Sequence, residues 1–344
     1  MGSIVTTILP NTEEARSYVC RELYEGRCVV LPTETVYGLA ADARSDSAVL
    51  GIYEIKNRPS FNPLILHGTD VEMLEEYVVF NERARMLAAL FWPGGLTMVL
   101  PAKTGSVSPL ACAGLDTLAV RVPNHSIFLQ VITAFGRPLV APSANPSNYL
   151  SATSASDVAA GFAFSTHESP LKKALPILDG GVCAQGVEST IIDLTTSVPT
   201  LLRPGAITIE NLQEVMKVTS GRNTSSIKAP GQLKTHYAPH APLRQEAKVL
   251  HPGEVWVGFG PIPSHIAAII DDPHNAEIHH LHTNLSQSGD LKEAAQHLFH
   301  ILHSLDASYV AQKPLFKGVA VAKIPQKGLG LAINDRLKRA NQKT

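Results

Sequence analysis

Residues 56–67 read KNRPSFNPLILH, with two cations two positions apart on a proline-framed loop that runs into an apolar stretch. Lys56 and Arg58 in such a loop have two readings. One is a solvated surface turn. The other is a phosphate clamp, to which Lys brings a point charge and Arg a planar fork of donors. Other segments offer partners for the second reading. LPTETVYGLAADA (31–43) supplies the hydroxyls of Thr33 and Thr35, the carboxylate of Glu34 and the phenol of Tyr37. AGLDTLAVRVPNH (113–125) sets Arg121 between Val120 and Val122, and strand alternation turns it to the face opposite those valines. An Arg there needs an acidic side chain, a carboxylate ligand or a phosphate. APSANPS (141–147) carries Ser143 and Asn145, GVESTIIDL (186–194) carries Glu188, Ser189 and Thr190, and LLRPGAIT (201–208) presents Arg203 before a Pro-Gly turn. In FWPGGLTMVLPA (91–102), Gly94-Gly95 permits close approach of a ligand, or simply a tight turn.

Several chemistries are not supported. No segment matches G-x-x-x-x-G-K-[ST] or G-x-G-x-x-G, and neither Ser143 nor Ser189 sits in a G-x-S-x-G elbow. His297, His300 and His303 share one expected helix, but steps of three drift around it by roughly 60° each, so they do not converge on a metal. His279 and His280, adjacent on an expected strand, point oppositely. No metal ligand set is assigned.

The elements that must position these residues alternate between helix and strand. A helix opens at Asn11 or Thr12, with Glu13 and Glu14 at its positive end, Ala15, Val19 and Leu23 inward, and Gly26 as its stop. CVVLP (28–32) reads as a buried strand, 49–57 as a helix running into the Lys-Arg loop, 64–67 as a strand and 82–94 as a helix ended by Pro93-Gly94. LTMVLPA, LAVRVPN, LVAPSAN and STIIDLT read as strands, several too apolar to face water on either side. The expectation is an α/β catalytic domain over 1–209 with a mixed sheet. A Ser, Thr, Pro and Gly-rich linker follows over 210–245, and a small α/β domain over 246–344. The small domain reads as strand 254–260, helix 264–270, strand 277–281, helix 289–305, strand 317–322 and helix 330–340.

Composition sets further bounds. Of 344 residues 44% are hydrophobic and 17% charged, as in a well-cored globular protein. No apolar run reaches the ~18 residues of a membrane helix, and residues 1–19 lack the basic start and apolar core of a secretory signal. Cys20, Cys28, Cys112 and Cys183 are scattered without C-x-x-C spacing, which fits a reduced, cytoplasmic setting. Residues 1–210 carry 14 Lys and Arg against 20 Asp and Glu, and the remainder 15 against 10. An acidic N-terminal part that binds polyphosphate must gather Lys56, Arg58, Arg121 and Arg203 in one region.

In order and spacing, PTETVYGL, KNRPSFNPLILH, WPGGLTMVL, GLDTLAVRVP, APSANPS, GVESTIIDL and LLRPGAIT resemble the YrdC-like threonylcarbamoyl-AMP synthases. PGQLKTHYAP (230–239) is similar to the linker signature of the long, two-domain form. The resemblance covers essentially the whole chain. It departs at Phe61, where the family more often has a polar residue.

The fold it implies is a twisted, mixed parallel/antiparallel sheet with a concave site, plus a small Rossmann-like α/β C-terminal domain. The reaction it implies joins L-threonine, bicarbonate or CO₂, and ATP into L-threonylcarbamoyl-AMP and pyrophosphate. Downstream proteins then move the threonylcarbamoyl group to the tRNA adenosine beside the anticodon, with room for a weak tRNA contact and no membrane partner. By the same matching, Lys56 and Arg58 would be catalytic, and Arg58, Asn62, Thr117, Ser143, Ser151, Arg203 and Tyr237 would bind ATP. Thr35, His67, Arg121, Ala141 and Ser189 would hold threonine. Mg²⁺ would accompany ATP, held mainly by phosphates and water, and the HYAP linker is a candidate lid. Two alternatives use the same domain. An RNA-binding module is disfavoured by the acidic N-terminal part. A carbamoyltransferase of another acceptor usually carries zinc-finger parts, which need the missing C-x-x-C.

Overall fold

In the computed structural model, which describes residues 4–163, 171, 173–221, 237–311 and 315–341, the apolar strands of the N-terminal part build one mixed sheet. Its strands are β1 (Thr6–Leu9), β2 (Val29–Leu31), β3 (Gly38–Asp42), β4 (Ile65–His67), β5 (Leu96–Pro101), β6 (Thr117–Arg121), β7 (Leu139–Val140), β8 (Leu175–Leu178), β9 (Thr190–Asp193), β10 (Thr200–Arg203) and β11 (Thr219–Ser220). The spatial order is β1-β8-β2-β3-β7-β4-β6-β5-β9-β10-β11. Parallel pairs (β1·β8, β2·β8, β4·β6, β5·β9, β10·β11) alternate irregularly with antiparallel ones (β2·β3, β3·β7, β4·β7, β5·β6, β9·β10). The fold is the twisted mixed sheet that the sequence led us to expect.

The strands are apolar on both sides because both sides are packed. Val30, Leu39, Ala41, Leu66, Met98, Val120 and Ile192 join one core cluster. Their neighbours Val29, Leu31, Ala40 and Leu139 join a second, against Val19 and Leu23 of helix Glu13–Tyr24 and Phe128 and Ile132 of helix Ser126–Phe135. A third, small cluster of Ile65, Val99, Ala119, Ile191 and Leu202 forms a floor on β4, β6, β5, β9 and β10. Period-2 alternation sets Thr97, His67 and Arg121 on the floor's side of the sheet.

Local signals act as the sequence implies. Thr12 caps the first helix by accepting from Ala15 N at 3.2 Å, and Gly26 follows it at φ +73. Helix Asp46–Lys56 starts on Ser45 and ends at Asn57 in the left-handed region, φ 50. Its inward stripe is Val49, Ile52, Tyr53 and Lys56, spaced i, i+3, i+4, i+7. That stripe carries Lys56 into the interior.

The chain forms two compact units. The first comprises 1–147, 151–184 and 188–233. The second comprises 148–150, 185–187 and 234–344. Two short segments inside the N-terminal sequence therefore belong to the second unit. The stretch expected to be a linker carries helix Ile209–Gln213, β11 and a further strand, and residues 222–236, with most of PGQLKTHYAP and of the candidate lid, lie outside the described residues.

The second unit has a wholly parallel sheet of β12 (Leu243–Ala247), β13 (Glu254–Gly258), β14 (Thr283–Asn284) and β15 (Gly318–Ala322), ordered β12-β15-β13-β14. Helices Ser264–Ile270, Leu291–Val310 and Leu329–Ala340 fall where periodicity puts them. Two differences stand out. β12 was hidden because LRQEA is an edge strand with polar, partly exposed middle residues and a register shift between Arg244 and Ala247. The strand expected at 277–281 is instead a 3₁₀ turn, His279–Leu281, followed by β14. That stretch buries only Ile278, too little apolar surface to hold a strand, and His279 and His280 sit on the turn rather than on opposite faces of a sheet. No helix among the described residues is long and apolar enough to cross a membrane.

Candidate active site

The cations of the motifs are turned inward. Lys56, Arg121 and Arg203 are buried, at 1%, 4% and 5% exposure, and Arg58 is half-buried. Lys56, Arg121 and Arg203 are each held by backbone carbonyls of another motif, and Arg58 by those of its own. Lys56 Nζ donates to Ser143 O at 2.6 Å and to Asn145 O, and Lys56 O accepts from Ser147 N at 2.8 Å. The end of helix Asp46–Lys56 is thereby tied to the APSANPS loop. Burial, with Arg58 nearby, holds the Lys56 ammonium well below the usual lysine range. Arg58 closes its own loop, with Nε to Asn62 O at 3.2 Å and Nη2 to Pro63 O at 2.9 Å. Asn62 is buried, and its Oδ1 has no hydrogen-bond partner among the described residues.

β4 and β6 run parallel, with Ile65 opposite Ala119 and His67 opposite Arg121. The Arg58–Asn62 loop therefore enters at the end of these strands where Thr117 stands, and His67 and Arg121 share the other end. Of the residues that the family matching gives to the nucleotide, Arg58, Asn62 and Thr117 stand at one end of these two short strands, while His67 and Arg121, given to threonine, stand at the other. His67 is buried against Phe128, ring centroids 5.3 Å apart, with Nδ1 3.0 Å from Ile65 O. Burial, then the Arg121 charge, pushes its pKa down to about 3, so it is a neutral hydrogen-bonding group at pH 7. Ala141 N donates to the same Ile65 O at 3.1 Å.

Arg121 Nε donates to Gly94 O at 3.1 Å, and its Nη2 lies 2.7 Å from Glu34 Oε1. Glu34 projects from a turn stapled by Thr33. Thr33 Oγ1 donates to Val36 O at 2.7 Å, accepts from Thr35 N and Val36 N at 3.1 and 3.2 Å, and lies 2.8 Å from Thr35 Oγ1. Beyond Gly94-Gly95, β5 leads to a third group. Thr97 Oγ1 is 2.7 Å from Ser189 Oγ. Arg203 donates through Nε and Nη2 to Ser189 O at 3.0 and 2.9 Å, and through Nη2 to Ser189 Oγ at 3.1 Å. Ser151 Oγ donates to Glu188 Oε1 at 2.6 Å. Glycine is required at 205, where a Cβ would meet Glu188 O at 2.3 Å.

Hydrogen bonds thus tie Lys56 to the 141–147 loop and that loop, through Ile65 O, to His67, while Arg121 meets Glu34 as an ion pair and β5 leads from Gly94 to Ser189 and Arg203. Tyr237 belongs to the second unit, where it is buried at φ 65 with the Arg336 guanidinium 5.6 Å from its ring and Phe299 5.6 Å away. Two contributors escaped the sequence reading. Thr97 was recognisable as a lone hydroxyl in the apolar run LTMVLP. Asp179–Gly181 carried no signal: Tyr37 OH donates to Gly181 O at 2.8 Å and accepts from Gly180 N at 3.0 Å, joining loops 142 or more residues apart.

A resident Mg²⁺ does not fit the protein groups present. No cluster of three or more His, Cys, Asp or Glu able to hold a metal occurs among the described residues, and the buried carboxylates Glu34 and Glu188 face Arg121 and Ser151. His297 instead bonds Leu285 O at 2.9 Å, and His303 packs edge-on to Tyr149.

The chain matches known proteins over nearly its whole length. A Sua5/YciO/YrdC family model described as telomere recombination matches residues 21–205, and one described as threonylcarbamoyl-AMP synthase, C-terminal domain, matches residues 207–341. The chain is 40% identical over 331 residues to the threonylcarbamoyl-AMP synthase of Pyrococcus abyssi, covering 92% of this chain and 91% of that one. It is 36% identical over 349 residues to the enzyme of that name from Bacillus subtilis, covering 98% and 95%. The crystal structure of P. abyssi Sua5 complexed with L-threonine superposes with a TM-score of 0.79 at 35% identity over 98% of each chain. With both of its halves matched and relatives of this identity spanning nearly its whole length, the chain belongs to the two-domain threonylcarbamoyl-AMP synthase family.

Proposed function

We infer that the chain is an L-threonylcarbamoyladenylate synthase, a nucleotidyltransferase that converts L-threonine, bicarbonate or CO₂, and ATP to L-threonylcarbamoyl-AMP and pyrophosphate. The observation that carries this reading is the inward turn of Lys56, Arg121 and Arg203, with Arg58 half-buried, in an otherwise acidic N-terminal part. Scarce cations turned into the interior suit a polyanion and an amino-acid carboxylate better than they suit solvent.

In this reading the threonine ammonium first loses a proton to solvent, and the free amine then forms an N–C bond to CO₂ with release of a second proton, giving a carbamate. A carbamate oxygen then attacks the α-phosphorus of ATP in line, and the bond to pyrophosphate breaks. No protein nucleophile is needed, so catalysis is positioning and charge stabilisation. Arg121 forks onto the threonine carboxylate, beside the neutral ring of His67, with Thr35, the Ala141 backbone and Ser189 reading its other polar groups. Arg58, Asn62, Thr117, Ser143, Ser151 and Arg203 serve the nucleotide. Lys56 holds the Ser143–Asn145 loop through its carbonyls. A nearby polyphosphate favours its charged form, opposing the effect of burial. Mg²⁺ enters as the counter-ion of the substrate ATP rather than as a resident of the protein. A cytoplasmic site of action, with product passed to tRNA-modifying proteins, belongs to the same reading.

The test is pyrophosphate release from ATP with threonine and bicarbonate supplied together and singly, with the adenylate identified by mass. Release is expected only when both are present. Equal release without threonine overturns the reading.

A further inference from the structure

We propose that Glu34 receives the α-ammonium of the amino-acid substrate while Arg121 beside it receives the α-carboxylate, so that the buried ion pair is a template for a zwitterion. The proposal rests on the synthase reading and deepens it by naming the group that recognises the amine.

The pair is buried yet incompletely bonded. The Glu34 and Arg121 side chains are 6% and 4% exposed, with Oε1 and Nη2 in contact at 2.7 Å. Nevertheless neither Glu34 oxygen nor Arg121 Nη2 makes an aligned hydrogen bond with any described residue. A buried ion pair that serves only the fold is compensated by aligned, commonly bidentate bonds, because desolvating two charges is otherwise unfavourable. Three unsatisfied charged atoms in one spot mark instead a place where donors and acceptors are supplied from outside.

An α-amino acid supplies both on a single carbon: three N–H donors for the carboxylate and two oxygens for the guanidinium. It inserts between the two side chains without changing the net charge of the site. The surroundings are built for this. The Thr33-stapled turn fixes the Glu34 backbone, Arg121 Nε is anchored on Gly94 O, and His125 presents a buried Nδ1 that also has no aligned partner. Pro32, two residues before Glu34, and His125 both crowd Gly180, at 2.5 and 2.9 Å from a Cβ built there, which sets His125 beside the turn that carries Glu34.

The experiment is calorimetric titration of the full-length chain with L-threonine, 3-hydroxybutanoate, which lacks the ammonium, and L-threonine methyl ester, which lacks the carboxylate. Wild type is expected to bind threonine roughly 10- to 150-fold more tightly than 3-hydroxybutanoate, the range for a hydrogen-bonded charge. Glu34→Gln should collapse that ratio to a few-fold while keeping discrimination against the ester. Arg121→Gln should do the reverse. If Glu34→Gln retains the full ratio, or if wild type binds 3-hydroxybutanoate as tightly as threonine, Glu34 does not read the ammonium and the synthase reading stands. If wild type binds no threonine, both fall. The wild-type comparison needs no variant, so a failure of either variant to fold leaves the inference open to refutation.

Discussion

Each unit buries a carboxylate, and the two are treated very differently. Asp306, on helix Leu291–Val310 of the second unit, accepts from Tyr149 OH at 2.7 Å, His240 Nδ1 at 2.8 Å and Ala241 N at 2.9 Å. Glu34 in the first unit meets the Arg121 guanidinium off-line and makes no aligned side-chain hydrogen bond among the described residues. Burial alone would raise the Asp306 pKa, but the bonds from His240, Tyr149 and Ala241 outweigh it and hold the carboxyl below its usual range. The satisfied carboxylate pins three stretches of chain together: the 148–150 segment, the residues just after Tyr237, and the helix. The unsatisfied one pins nothing that needs it. Full satisfaction identifies a structural ion, and its absence a site awaiting a ligand. Lys56, with its carbonyl partners, stands on the Asp306 side of this contrast even though it lies among the site residues.

The contrast can be broken at either end. Asp306→Ala strands three donors and should cost about 3 kcal/mol in urea unfolding, with faster hydrogen exchange in helix Leu291–Val310. A loss below about 1 kcal/mol would mean the cluster does not brace the second unit. The double variant Glu34→Gln/Arg121→Gln should stay within about 1 kcal/mol of wild type, because a poorly aligned buried pair is readily replaced by neutral groups. It should abolish threonine-dependent pyrophosphate release. Marked destabilisation of the double variant would move Glu34 to the structural side.

The smallest effect concerns pH. Its bond to Asp306, opposed by burial, raises the His240 pKa above its ordinary 6.5. A raised folded pKa gives stability that is complete below about 6.5 and is lost as pH climbs through the folded value. Asp306, lowered from 3.8, gives stability complete above that value and lost only on stronger acidification. The pair therefore contributes most between about pH 4 and 6.5, and urea midpoints should decline from pH 6 to 8.5. The His240 side chain is 46% exposed, so the slope is shallow. His240→Gln should flatten it, and an unchanged slope in that variant would show that another group titrates.

Much of this was legible in the residues. The first helix, its Thr12 cap, the 46–56 helix and the apolar strands follow from caps and periodicity, because those signals act over a few residues. Even the burial of Lys56 was available, since it continues the stripe of Val49, Ile52 and Tyr53. β12 and the 3₁₀ turn at His279–Leu281 were not, because a polar edge strand looks like a loop and a single buried Ile cannot announce a turn.

By itself the sequence determined the motifs, the mixed α/β class and the face to which Arg121 turns, all consequences of spacing two to seven residues long. Only the tertiary structure decided who meets whom. Arg121 finds Glu34 across 87 positions, Lys56 finds the Ser143 carbonyl, and Tyr149 joins Asp306 in a unit whose chain otherwise begins far downstream. Such pairings depend on strand order, and no local pattern encodes strand order. Whether a buried charge ends with its bonds complete or open is settled by that geometry alone.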